Sequence, residues 1–217
     1  MNKFEFHISP EIINQIKVGI ERYESLEKKD AFIKLANFGW YINGKMSLVQ
    51  ASYLMELAHK ERVSDINKYL TNYYKEELSE RVYSFDRSQS KRSLIIKEAI
   101  NCHFSGKYYA SVSLFLSQAD GICNKLLFKT KDKKRELKRL VKGEIKNDFF
   151  LKILNSVLRE NKIDEYFSDD FETSTGLNRH AVLHGYDTEY GTELNSLKSF
   201  SLLLLVYDFF YLPNKKL

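Results

Sequence analysis

Apolar residues recur every three or four positions along most of the chain, a spacing that places them on one face of an α-helix. A clear example is the run that contains Ile96, Ala99, Ile100 and Phe104 and stops at a Ser-Gly pair. The same pattern predicts helices at about residues 10–20, 31–40, 47–60, 64–83, 95–104, 108–128, 148–160 and 192–212.

Two of these predicted helices are unusually apolar. In residues 108–128 the apolar positions go almost all the way round, which is typical of the central helix of a bundle. Residues 200–212 form the most apolar stretch, but Asp208 interrupts it and it is shorter than the roughly 20 residues that span a bilayer. We therefore expect a buried core helix there and no membrane partner.

The composition favours an all-α fold. The chain has only nine glycines and two prolines, whereas an all-β fold needs many tight turns. Residues 84–93 are polar and lack apolar periodicity, so we expect a linker or a frayed helix start there. Two cysteines in helix-like sequence and an amino terminus without a secretory pattern predict a cytoplasmic protein with free thiols.

The positive charge is concentrated in one segment. Residues 129–142 hold eight Lys or Arg and two acidic residues, so their net charge of +6 exceeds the +5 of the whole chain. Such a run is either a solvated helix face or a surface for an anionic partner such as RNA. For the second interpretation, the candidate RNA-binding side chains are Lys133, Lys134, Arg135, Lys138 and Arg139.

Asp120 is an unexpected carboxylate within the apolar helix predicted at residues 108–128. It lies either beside a kink at Gly121 or in the interior with a partner. Because burying an unpaired carboxylate is costly, we expect an arginine or similar group to support it in the second case.

The stretch "LNRHAVLHG" at residues 177–185 has the most interesting chemistry, and three interpretations compete. The simplest is a helix end capped by Gly185. The second is a metal site, because His180 and His184 lie four residues apart and share a helix face. Zinc enzymes with this spacing place a glutamate after the first histidine, but Ala181 stands there and no cysteine cluster is nearby. We therefore expect no metal and no other cofactor.

The third interpretation is metal-free cleavage of RNA through its own 2′-hydroxyl. This reaction needs a base for the hydroxyl, an acid for the leaving 5′-oxygen and positive charge against the phosphorane. Histidine transfers protons near neutral pH, and arginine offers a forked cation shaped for phosphate oxygens. His184 and Arg179 have these properties without a metal.

The spacing of Arg179 and His184 complicates a site in one chain. Five residues correspond to about 140° around an ideal helix, so the two side chains do not share a face. One chain also offers one such histidine. Two copies would supply an acid and a base together, so the sequence favours a homodimer.

The "RHAVLH" segment resembles the R-x4–6-H signature of HEPN domains, a family of all-helical domains. His180 fits the family's preference for a polar residue after the arginine. Asn178, Gly185 and the continuation "YGTELNSLKSF" are also similar to bacterial members, as is the segment "GKYYASVSLFLSQADGICNKLLF". The resemblance covers residues 88–212 and leaves residues 1–85 as an N-terminal helical region of unknown role.

This resemblance implies a HEPN-like helical bundle and a metal-independent endoribonuclease of the kind found in toxin–antitoxin, abortive-infection and CRISPR-linked defence systems. It implies a dimer in which two motifs face one cleft, with Arg179 and His184 as the catalytic pair. His180, and with it Asn178, would orient the histidine or contact RNA.

We therefore expect an endoribonuclease, a toxin or phage-defence effector, with RNA, a second copy and an antitoxin or other defence protein as partners. The alternatives are a non-catalytic helical module that binds RNA or nucleotides, and a structural interaction protein.

Overall fold

The computed structural model describes residues 26–43, 45–86, 90–122 and 177–207. Every regular element in these ranges is helical, so the predicted all-α fold is confirmed. The helices are, in chain order, α1 (Leu26–Asn37), α2 (Leu48–His59), α3 (Val63–Asp86), α4 (Lys91–Phe104), α5 (Tyr108–Ile122), α6 (Arg179–Leu183) and α7 (Glu193–Val206). The helices predicted at residues 10–20 and 148–160 lie outside the described residues.

Hydroxyl side chains fix the beginnings of three helices. Ser47 accepts a hydrogen bond from the backbone N–H of Gln50, whose side chain accepts one from the Ser47 N–H in return, which is a capping box. Ser90 caps α4 and Thr192 caps α7 without the reciprocal bond: their side chains accept hydrogen bonds from the backbone N–H groups of Ser93 and Asn195. These caps satisfy backbone donors that the first turn of a helix leaves without a partner.

The end of α3 depends on tertiary packing. The sequence predicts a helix that stops near residue 83, but α3 continues to Asp86. Phe85 is buried there, and its ring packs edge-on against Tyr207, with centroids 5.1 Å apart. Burial of this aromatic side chain extends the helix into the polar stretch for which the sequence predicts a linker or a frayed helix start, and α4 begins within that stretch at Lys91.

The most deeply buried helix in the described part is α7. All its residues from Ser196 to Val206 are buried, and it packs against α5 and α3. The helix predicted for the centre, α5, buries only one face and leaves Tyr109 53% exposed. In the other contacts α4 packs on α3 and α5, α2 packs on α1 and α3, and α6 packs on α5.

Aromatic rings connect the helices into one hydrophobic core. Phe200 of α7 lies 5.3 Å from Phe115 of α5 and 6.4 Å from Tyr74 of α3, measured between ring centroids. Trp40, just after α1, stacks on Tyr74 at 5.6 Å. Described residues from both sides of residue 85 belong to this core. The division into an N-terminal region at residues 1–85 and a helical bundle at residues 88–212 stays a prediction.

A small polar network lies inside this core. The His103 ring bonds through Nδ1 to the Ser196 hydroxyl at 2.8 Å, and that hydroxyl bonds to the Ser111 hydroxyl at 2.6 Å. Burial lowers the pKa of His103, which favours the neutral form of its ring. The network fixes the relative positions of α4, α5 and α7 without burying a charge.

None of the helices in the described ranges has both the length and the apolar character that a membrane crossing requires.

Candidate functional site

The histidine-rich stretch folds into α6, a five-residue helix capped at both ends. At its start, the Asn178 side chain accepts a hydrogen bond from the Ala181 N–H at 3.0 Å. At its end, Gly185 adopts a φ of +76°, and its N–H donates to Val182 O while the Tyr186 N–H donates to Ala181 O. This pair of bonds is a Schellman motif, which places a glycine where a left-handed conformation is needed.

Arg179, the first residue of α6, points into the protein. Its side chain is only 2% exposed, and its Cζ lies 4.8 Å above the centre of the Tyr41 ring. Nη1 has no hydrogen-bond partner among the described residues. Burial lowers the pKa of Arg179 to about 9, so the guanidinium still carries its charge at neutral pH.

Lys198 of α7 is a second buried cation beside Arg179. It is 3% exposed, and its Nζ lies 5.9 Å from the centre of the Trp40 ring. Burial and, to a lesser extent, the charge of Arg179 lower the pKa of Lys198 to about 8. The ammonium is therefore still mostly protonated at neutral pH, and two positive charges share this part of the core.

The segment from Gly39 to Tyr41 lies beside both cations. A Cβ on Gly39 would lie 3.1 Å from the Lys198 Cδ and 3.6 Å from the backbone N of Leu177. The Tyr41 N–H donates to the Ser201 hydroxyl at 3.2 Å, and its carbonyl accepts from the Tyr74 hydroxyl. This segment therefore contacts the start of α6 and the middle of α7, and the φ of +83° at Gly39 favours glycine there.

His184 has the opposite environment. It is exposed in the turn that follows α6, two residues before the half-exposed ring of Tyr186. The structure therefore does not bring Arg179 and His184 together on one open surface of a single chain. The backbone of His180 belongs to α6, and its side chain is outside the described part.

The structure also describes the surroundings of Asn178 and Asp120, which the sequence analysis singled out. Asn178 is buried at 5% exposure, and its side chain serves as the N-cap of α6. Asp120 is half-buried near the end of α5. Arg92 approaches the same turn of α5, where its Nη1 donates to the carbonyl and the side chain of Gln118 at 3.2 and 3.0 Å.

The predicted RNA-binding segment at residues 129–142 lies outside the described residues, and with it Lys133, Lys134, Arg135, Lys138 and Arg139. In the parts of the chain that are described, no group of three or more His, Cys, Asp or Glu residues is placed to hold a metal ion.

The site contains residues that the sequence did not single out. Lys198 is the one charged residue within the buried run of α7, and a lysine in so apolar a helix was a signal that could have marked it. Trp40 and Tyr41 carried no such signal, because they lie far from α6 in sequence and meet the two cations only in the folded chain.

Comparison with known proteins gives no match: no protein-family model, no curated protein and no solved structure is significantly similar to the chain. The likeness to HEPN domains therefore rests on the motif residues and the segments around them.

Proposed function

We propose that the protein is a metal-independent endoribonuclease in which His184 transfers protons to and from RNA. The observation that carries this proposal is the position of His184: it is exposed, and the Schellman motif at Gly185 holds the turn that contains it. A fixed, solvent-facing histidine meets the first requirement of a general acid or base, which is access to the reacting oxygen.

The proposed reaction needs two proton transfers. The 2′-hydroxyl loses its proton to a base and attacks phosphorus, and the 5′-oxygen leaves with a proton from an acid. The products are a 2′,3′-cyclic phosphate and a 5′-hydroxyl. Since each chain contributes one His184, a homodimer that faces two copies across one cleft supplies both groups.

Arg179 has a different role in this proposal from the catalytic one that the family resemblance implies. In the described conformation its guanidinium is closed to an RNA phosphate, because the side chain is only 2% exposed. We assign it a positioning role, in which its contact with the Tyr41 ring anchors the start of the helix that ends at His184.

Exposed aromatic rings near His184 are consistent with a single-stranded RNA substrate. Tyr186 is 49% exposed and Tyr109 is 53% exposed, and the Tyr109 ring packs against Tyr190 in the loop that follows His184. RNA-binding proteins stack unpaired bases on such rings. The basic segment at residues 129–142 would contact phosphates, and the role of a toxin or defence effector with an antitoxin or similar partner belongs to this proposal.

The test is an RNA cleavage assay in EDTA with the wild type and His184→Ala. We expect cleavage to persist in EDTA and the variant to be slower by roughly 10²–10⁴-fold, the usual scale for a lost general acid or base. His59→Ala is the matched control, since His59 is also exposed at a helix end but lies on α2. Cleavage that EDTA abolishes, or that His184→Ala leaves unchanged, would contradict the mechanism.

The second candidate is a non-catalytic module that binds RNA or nucleotides, and the burial of Arg179 favours it. An arginine inside the core is not available to stabilise a transition state on bound RNA. This alternative predicts RNA binding without cleavage, in the wild type and in His184→Ala alike. A chain without any RNA affinity would instead be a structural interaction protein.

A further inference from the structure

We propose that the hydrogen-bond chain from His103 through Ser196 to Ser111 is a pH-sensitive junction between α4, α7 and α5. The chain runs in one direction and leaves one ring nitrogen of His103 free to take up a proton. In acid, that proton places a positive charge inside a junction that is uncharged at neutral pH, and the contact between the three helices weakens. The junction is separate from His184 and does not depend on RNA.

The direction of the chain follows from the number of hydroxyl protons. Ser111 Oγ donates to the Tyr108 carbonyl at 3.3 Å. A serine hydroxyl has a single proton, so the Ser111 oxygen accepts in its 2.6 Å bond with Ser196. The Ser196 proton is used in that bond, and the Ser196 oxygen therefore accepts from His103 Nδ1 at 2.8 Å. His103 is thus the tautomer that carries its proton on Nδ1.

The second ring nitrogen of His103, Nε2, is the atom that can accept a further proton. It makes no hydrogen bond to any described residue. The rings of Phe104 and Tyr108 lie beside the imidazole, with centroids 5.8 and 5.5 Å from it. Only 5% of His103 is exposed, so water reaches the ring but solvates an imidazolium poorly. Proton uptake at Nε2 therefore costs more in the folded chain than in water.

Two charged side chains act on the His103 ring from neighbouring helices, and their effects oppose each other. Glu193 of α7 raises the pKa of His103 and Lys75 of α3 lowers it, and these two residues form an ion pair at 2.9 Å. Among the described residues, α5 contributes Tyr108 and no charged group. Burial has a larger effect than either charge and lowers the pKa of His103.

The lowered pKa of His103 determines the sign of the acid response. The unfolded chain binds a proton at this residue near the usual pKa of 6.5, whereas the folded chain binds it only at lower pH. Between these two values the unfolded state binds more protons. The free energy of unfolding therefore falls as the pH drops below about 6.5, until the folded pKa is reached.

Nitrogen-15 NMR of the histidine rings in the full chain tests the direction of the chain. At neutral pH we expect Nδ1 of His103 to resonate as a protonated nitrogen and Nε2 as an unprotonated one. Ser111→Ala frees the Ser196 proton for donation to Nδ1, so this variant should increase the population of the Nε2–H tautomer. Ser113→Ala is the matched control, because Ser113 also lies on α5 but its hydroxyl bonds to Tyr190 and not to Ser196.

Urea denaturation at pH 7.5 and at pH 5 tests the acid response. His103→Asn keeps an N–H donor near the position of Nδ1 but takes up no proton in this range. The urea midpoint of this variant should move less between the two pH values than that of the wild type. His59→Asn is the control, since His59 is exposed at the end of α2, and its midpoint should move as the wild type's does.

Three results would overturn the proposal. A wild-type His103 that carries its proton on Nε2 reverses the chain, and a Ser111→Ala spectrum equal to that of the wild type means that the chain does not set the tautomer. Equal midpoint shifts for the wild type and His103→Asn rule out the acid response. If His103→Asn does not fold, an NMR titration of the wild type decides instead: proton uptake at Nε2 at or above pH 6.5 contradicts the proposal, and uptake at lower pH supports it.

Discussion

The described part of the molecule contains two buried arginines, Arg81 and Arg179, whose surroundings carry different charges. On α3, Arg81 is 8% exposed, and its Nε lies 3.5 Å from the Glu77 carboxylate one turn earlier. That carboxylate also accepts a hydrogen bond from Asn43 at 3.1 Å and lies 3.6 Å from the Lys45 ammonium. Next to α6, Arg179 instead lies on an aromatic ring with Lys198 close by.

The difference shows what each cation can do. The charge of Arg81 is balanced by the Glu77 carboxylate beside it, so this pair has a structural role. The charges of Arg179 and Lys198 add to each other, and the Arg179 Nη1 donor has no partner in the described residues. The first arrangement therefore pairs opposite charges, and the second places two positive charges near each other.

Removing the carboxylate from the balanced site should have the largest effect on stability. Glu77→Leu removes the carboxylate that lies beside the buried Arg81, and breaking a buried pair from one side costs about 3–5 kcal/mol. Urea denaturation should therefore show a large fall in the free energy of unfolding. Glu80→Leu is the control, because Glu80 pairs with the same Lys45 but is exposed, and such a pair contributes about 0–1 kcal/mol.

Removing Lys198, the cation whose pKa burial and the charge of Arg179 lower, should have the opposite effect on stability. Lys198→Met replaces a buried ammonium by an apolar side chain of similar length. At pH 7 we expect an increase in the free energy of unfolding on the order of 1–3 kcal/mol, as the lowered pKa of Lys198 indicates. A fall similar to that of Glu77→Leu would mean that Lys198 is balanced as Arg81 is.

The same variant has a characteristic pH dependence. The pKa of Lys198 is about 8 in the folded chain and near 10.5 in the unfolded one, so the unfolded chain binds more protons between these values. The stability of the wild type should therefore rise through this window, and the advantage of Lys198→Met should shrink. The titration of Tyr73 makes stability fall with rising pH, but only above pH 10, because burial raises the pKa of Tyr73 to about 12. Melting temperatures from pH 7 to 10 provide the measurement.

The smallest effect should come from the cap that places Arg179. Asn178→Ala removes the side-chain acceptor of the Ala181 N–H, and loss of an N-cap costs about 1 kcal/mol. Denaturation measures the loss, and Asn178→Asp should retain most of the stability because aspartate is an equally good cap. If Asn178→Ala costs nothing, packing against Tyr41 alone fixes the start of α6.

Local signals in the sequence predicted several helix boundaries, but α1 begins at Leu26 and α4 at Lys91, earlier than the predicted starts at residues 31 and 95. The capping box at Ser47 and the Ser-Gly pair after Phe104 act within one turn, so the limits of α2 and of the end of α4 follow from neighbouring residues. The end of α3 did not follow, because Phe85 gains its burial from Tyr207 at the other end of the chain. For the same reason, periodicity did not show that α7 is buried more completely than α5.

The sequence by itself determined that residues 179–184 carry the motif and that Gly185 suits the end of a helix. It could not determine which way Arg179 points. The direction depends on Tyr41, which lies 138 positions earlier and meets the guanidinium only when the segment after α1 packs between α6 and α7. Tertiary structure alone therefore decided that Arg179 and Lys198 are buried together while His184 stays exposed, because burial depends on contacts between distant segments and not on spacing along the chain.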